Sequence, residues 1–117
     1  IDQVMQWGLE DTPGHVVNFM SGKQPWDDPD EYIKGSPLYG LENVMTPTLI
    51  HAGVNDARVP VEHGRTLFRA LSRYQKVDTQ LIEYPDTGHF PMTRSYRRAK
   101  MEWDLAWMDK YVLGIEE

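Results

Sequence analysis

The chain has 117 residues, 40% hydrophobic and 26% charged, enough for one modest domain and the composition of a folded protein rather than a disordered one. Its 12 Lys and Arg against 18 Asp and Glu leave a net charge of −6 without a basic block, which argues against a nucleic-acid partner, since polynucleotides are held by clustered cations. The lack of cysteine removes disulfides, a thiolate nucleophile and thiolate zinc sites, and it leaves the compartment open, with the cytoplasm as the leading expectation.

No apolar run approaches the roughly 20 residues that span a bilayer, so a soluble chain without a membrane partner is expected. The start, IDQVMQWGLEDTPG, has neither an initiating Met nor the basic-then-apolar layout of a signal peptide, and it leads us to expect a segment of a longer polypeptide or a mature form. Residues 1–9 read as the tail of a helix, broken by Asp11-Thr12-Pro13-Gly14, whose residue types are those of turns. Residues 16–20 are short and apolar, with His15 in the turn before them. The string SGKQPWDDPDEY then reads as an irregular surface segment running into a short helix over 30–34. Ser36-Pro37 and Thr46-Pro47 each pair a restricted residue with the proline that restricts it, fixing an extended entry into the next strand.

Residues 48–52, a mixture of β-branched and apolar types closed by Gly53, read as a strand buried on both faces of a parallel sheet. Asp56 follows just beyond its carboxyl end, where open α/β sheets gather ligands and catalytic groups. Over 61–74, Leu67, Leu71 and Tyr74 form an apolar stripe while Arg65, Arg69 and Arg73 take other faces, the pattern of a crossover helix. A second strand is predicted over 79–84, and PDTGHFP after it delivers His89 beyond that strand end in the same way. Asp56 and His89 are 33 residues apart, room for one βαβ unit. A final helix over 95–112 carries Met101, Leu105, Met108 and Val112 on one face, expected to cover the sheet, with Gly114 as its stop.

The string TPTLIHAGVNDARVPVEHGRTLFRALSRYQKVDTQLIEYPDTGHF resembles the end of the catalytic domain of the prolyl oligopeptidase family, in particular its acylaminoacyl-peptidase and dipeptidyl-peptidase-like branches. The upstream PWDDPDEYIKGSPLYGLENV is similar to the segment those enzymes carry before their penultimate strand, and the terminal helix fits as well. Dienelactone hydrolases and esterases share the G-x-x-D…G-H skeleton, whereas the D-x-R-V-P element at 56–60 and the S-P-L…T-P element at 36–47 tilt the likeness toward the peptidases. The resemblance implies an α/β fold in which residues 1–117 are the C-terminal portion of one α/β-hydrolase domain. It further implies that Val59 walls the pocket for the residue before the scissile bond, and that Trp26 lies beside the active-site entrance. The plainer alternative for Trp26 is a side chain that packs its loop onto the body.

The chemistry of such a site explains the residue types. A serine hydroxyl attacks only when a neutral imidazole takes its proton, and the imidazole needs a carboxylate on its other nitrogen to fix the tautomer. Asp56 and His89 suit the acid and the base, and they stand in the α/β-hydrolase chain order. The serines are Ser21, Ser36, Ser72 and Ser95, in the contexts MSG, GSP, LSR and RSY; none is a G-x-S-x-G elbow, so the nucleophile is expected outside these residues. His51 reads as a satisfied core histidine, Arg58 as a structural residue paired with a carboxylate, and His63 as part of the crossover helix. No H-x-x-x-H or H-E-x-x-H spacing occurs, and neither metal nor cofactor is expected. The sequence therefore predicts the acid-and-base part of a serine peptidase of short peptides, inactive alone, whose partners are a peptide substrate and the rest of its own domain, with self-association through open edges. An esterase fragment and a non-catalytic binding module are the alternatives.

Overall fold

The computed structural model describes residues 1–90 and 93–115. Helix α1 (Gln3–Leu9) is capped by Asp2, whose carboxylate accepts from Val4 N at 3.1 Å, satisfying an amide that a helix start leaves without a partner. Helix α2 (His15–Phe19) follows the Gly14 turn. His15 is thus the first residue of a helix rather than part of the turn, and its ring meets Phe19 edge-on at 4.9 Å. Helix α3 (Pro29–Lys34) has Pro29 in its first turn and Asp28 accepting from Glu31 N at 3.2 Å.

These three helices share a small core. Val16, Met20 and Tyr32 are buried together, with Trp7 packed against them. The hydroxyls of Ser36 and Tyr32 are matched there: Ser36 Oγ accepts from Gln3 N at 2.8 Å and donates to Tyr32 O at 2.7 Å, and Tyr32 Oη donates to Lys23 O at 2.7 Å. A 3-10 segment, Pro37–Asn43, then leads to the sheet.

Strands β1 (Thr48–Gly53) and β2 (Thr79–Tyr84) pair in parallel, Thr48 opposite Thr79 through Gly53 opposite Tyr84. Between them runs α4 (Val61–Arg69), the crossover that parallel neighbours require. Alternation along the strands separates the two faces. A Cβ on Gly64 of α4 would lie 3.4 Å from Ile50, Ala52 and Leu81, so α4 covers that side. His51 turns the other way, to α5 (Arg94–Tyr111), whose N-cap is Thr93.

Three expectations are corrected. Every residue of β1 is only half-buried, because among the described residues it pairs with β2 alone. Leu71 is buried but Tyr74 is 69% exposed; the crossover helix loosens into a π-turn over Ala70–Tyr74, and wider i→i+5 spacing rotates Tyr74 off the stripe. The stripe of α5 is also exposed, at 71% for Met101, 65% for Leu105, 56% for Met108 and 71% for Val112. Two strands about 4.8 Å apart are narrower than a helix roughly 10 Å across, so one side of α5 alone can rest on them. That side is polar and aromatic. Asp104 Oδ1 meets His51 Nε2 at 2.8 Å, Tyr111 Oη donates to Asp78 at 3.0 Å, and Tyr96 packs on Tyr84. Partial burial pushes the Asp104 carboxyl upward, but hydrogen bonds from Lys100 and His51 outweigh it and hold it below the usual carboxylate range.

Replacing Leu71 by alanine should destabilise the fold by about 2–5 kcal/mol, whereas Tyr74→Ala should stay within about 0.5 kcal/mol. Chemical denaturation of the two variants checks this, and equal losses would mean that the regular stripe, not the π-turn, describes the helix.

Candidate active site

Beyond the carboxyl ends of β1 and β2 the two following loops run side by side. Val54 N donates to Tyr84 O at 3.0 Å and Asn55 N donates to Thr87 O at 2.9 Å, so the parallel pairing continues past the strands. Gly53 lets them approach: a Cβ there would run into the carbonyl oxygens of Gly88 and Thr87. Asp56 and His89 are carried into contact by this zipper.

Asp56 is nearly enclosed, its side chain 9% exposed, while that of His89 is 46% exposed. One carboxylate oxygen, Oδ1, accepts from Arg58 N at 2.9 Å and Val59 N at 2.8 Å. These backbone donors close the D-x-R-V turn and hold the carboxylate in one orientation. The other oxygen, Oδ2, lies 3.0 Å from His89 Nδ1, within hydrogen-bonding reach. A carboxylate only accepts, so the proton of that bond sits on Nδ1 and Nε2 is left as the basic nitrogen.

A strap from the N-terminal helices holds the acid turn from outside. Asp11 N donates to Ala57 O at 3.0 Å, Arg58 Nε donates to Asp11 Oδ1 at 2.9 Å, and Gln6 Nε2 donates to Arg58 O at 2.7 Å. The carboxylate partner expected for Arg58 is thereby Asp11. His63 is indeed on α4; burial pushes its imidazole below the ordinary range, and its Nε2 meets Gln6 Oε1 at 2.8 Å.

Asp56, Val59 and His89 line one cavity of about 490 Å³, together with Phe90 and Lys100. Trp26 is not on its wall: the ring is 69% exposed and meets Trp7 edge-on at 5.7 Å. Phe90, whose ring stands edge-on to His89 at 4.7 Å, was passed over in the sequence although it is adjacent to the histidine. Gln6, Asp11 and Lys100 had no sequence signal, since only folding brings them here. No group of three or more His, Asp or Glu side chains suited to a metal ion occurs among the described residues. No helix among them is long and apolar enough to cross a membrane.

Comparison with known proteins settles the ancestry. The profile described as Prolyl oligopeptidase family matches residues 2–114. The chain belongs to the prolyl oligopeptidase family. It is 30% identical over 108 residues to the uncharacterized peptidase YuxL of Bacillus subtilis, covering 90% of this chain and 16% of that protein. It is 30% identical over 89 residues to dipeptidyl-peptidase 4 of Giardia intestinalis, covering 74% of this chain and 11% of the relative. With acylamino-acid-releasing enzyme 1 of Oryza sativa it shares 35% identity over 72 residues, 62% of this chain and 9% of the other. The chain thus spans a small part of the length of the curated relatives it matches.

Gly53→Ala tests the loop zipper. The added methyl should force the two loops apart, destabilising by about 1–3 kcal/mol and weakening the Asp56–His89 bond. Denaturation together with the Nδ1–H proton resonance of His89 reads both effects, and an unchanged resonance would separate the close approach from the site.

Proposed function

We propose that residues 1–117 are the C-terminal portion of an α/β-hydrolase catalytic domain of a serine peptidase acting on short peptides, and that they supply the acid, Asp56, and the base, His89, of a Ser-Asp-His triad. The observation that carries this reading is the orientation of the pair: Nδ1 of His89 is held by Asp56 Oδ2 at 3.0 Å and the opposite nitrogen is directed away from the acid. Family membership supports the reaction class, and the names of the relatives support peptide substrates.

The attacking serine comes from outside these residues, because none of the four serines has the elbow context. His89 Nε2 takes the serine proton as the hydroxyl oxygen attacks the scissile carbonyl, and Asp56 stabilises the imidazolium that forms. The same nitrogen then protonates the leaving amine, giving an acyl-enzyme. Water then gives a proton to Nε2 as its oxygen attacks the acyl carbon, and Nε2 returns that proton to the serine oxygen as the ester bond breaks and the carboxylic acid leaves. Val59, on the cavity wall beside the acid, is the side chain we assign to the pocket for the residue before the scissile bond. Trp26 remains a candidate for the approach to the entrance, as a rim residue outside the cavity.

The partner of this chain, in the same proposal, is the remainder of its own catalytic domain. The radius of gyration is 16.1 Å, against the roughly 13 Å of a compact chain of this length. One edge of β1 is unpaired among the described residues, and an open strand edge recruits other strands.

In the complete enzyme Asp56→Asn should leave the fold intact and cut turnover by a factor on the order of 10⁴, as in chymotrypsin-type triads, through loss of tautomer control. His89→Ala should do comparable damage. Peptide and ester hydrolysis assays decide the matter, and full turnover by either variant places the catalytic groups elsewhere. The 117-residue chain by itself is expected to be inactive and to self-associate or fold poorly. Size-exclusion chromatography with light scattering, run beside a generic esterase assay, checks this; a cooperatively melting monomer would contradict the folding part, and serine-reagent-sensitive turnover the missing nucleophile.

A further inference from the structure

A second aspartate–histidine pair lies on the sheet face opposite α4. His51, in the middle of β1 and 17% exposed at its side chain, places Nε2 2.8 Å from Asp104 Oδ1 on α5 and Nδ1 2.8 Å from Tyr84 Oη on β2. The other Asp104 oxygen accepts from Lys100 Nζ at 2.7 Å. The protons are accounted for without a gap. Asp104 accepts from Lys100 and from His51 Nε2–H, leaving His51 Nδ1 to accept the Tyr84 hydroxyl proton. Both ring nitrogens of a largely enclosed histidine are therefore satisfied.

The two partners of His51 flank one piece of chain. Tyr84 is the last residue of β2, and Asp104 belongs to the helix that opens at Arg94. The connection between them carries His89. His51–Tyr84 and Asp56–His89 also have the same sequence separation, 33 residues; the first bond runs from the middle of β1 to the last residue of β2, and the second lies beyond both strand ends. His51, Tyr84 and Lys100 line the same cavity as Asp56 and His89.

We propose that His51 is a positioning residue for His89: by holding the strand before the His89 connection with one ring nitrogen and the helix after it with the other, it sets where the catalytic base stands relative to Asp56. The proposal rests on the triad reading above and adds to it a residue that never touches substrate. A purely stabilising tie is the competing account. Leucine at position 51 removes one partner only and strands the Tyr84 hydroxyl and an Asp104 oxygen, which destabilises under either account, whereas only a positioning role adds the loss of about 10²-fold in rate that follows from displacing a catalytic group by about 1 Å. The two roles therefore separate in the kinetics of the folded variant and in the His89 resonance, not in stability.

The experiment uses the complete enzyme and compares His51→Leu, His51→Gln, Tyr84→Phe and Asp56→Asn. Positioning predicts that folded His51→Leu keeps KM within about twofold of the parent while kcat falls roughly 10- to 100-fold, that His51→Gln, whose amide keeps a donor for Asp104, regains part of the loss, and that Tyr84→Phe loses kcat as well. The Nδ1–H resonance of His89 should weaken or shift in His51→Leu, a readout that does not depend on turnover. A folded His51→Leu enzyme with parental kcat and an unmoved His89 resonance overturns the proposal. If His51→Leu does not fold, Tyr84→Phe decides alone: parental kcat and an unmoved resonance overturn the proposal, and loss of kcat at unchanged KM supports it. Full turnover by Asp56→Asn instead overturns the triad reading, and the His89 resonance still tests whether His51 holds that ring in place.

Discussion

The parallel, in-register pairing of β1 with β2 is the constraint on which the rest depends. Parallel strands end on the same side of the sheet, so the loops that leave them emerge together, and here they remain hydrogen-bonded at Val54 and Asn55, just beyond the last register pair. The contact between Asp56 and His89 is a consequence of that register. A slip of one residue would turn every side chain of one strand to the other face, placing Ile50 and Ala52 against α5 and His51 against α4. At Gly53 the two backbones come too close for a side chain, and this glycine sits at the exit toward Asp56.

Around this pair the molecule uses polar contacts more than apolar ones to locate its parts. The acid turn is held internally by two backbone amides on Asp56 Oδ1 and externally by Gln6 and Asp11. Hydrogen bonds have direction, whereas apolar burial does not, so a carboxylate held by several of them keeps one orientation. The same logic operates on the far face, where α5 meets β1 through Asp104 and the start of β2 through Tyr111 instead of through its methionines. In the function proposed above, acyl transfer by a serine demands an imidazole of fixed tautomer, and the Asp56 turn presents the carboxylate that would fix it.

Much was legible in the one-dimensional pattern. Both strands were readable from short runs of β-branched and apolar residues bounded by turn types, and the short third helix was expected over 30–34, one residue inside its start at Pro29. The acid and base candidates were legible because each follows a strand end and their spacing holds one crossover unit. These features are local: they depend on residues within one turn, one strand or one connection, and local propensity is written in consecutive residues.

Other features required the folded chain. The π-turn that carries Tyr74 away from the core, the half-exposed state of β1, and the choice of a polar side of α5 over Met101, Leu105 and Met108 all depend on how many strands lie alongside and on what they present. Gln6, Asp11, His51 and Asp104 acquire their partners across separations of 47 to 57 residues, and no periodicity encodes a contact at that distance. By itself the sequence determined where the candidate acid and base, Asp56 and His89, stand along the chain, through turn chemistry at two strand ends. Only the tertiary structure decided that they face each other at 3.0 Å, because that distance is set by the register of two strands and by the packing of helices on both sides of them.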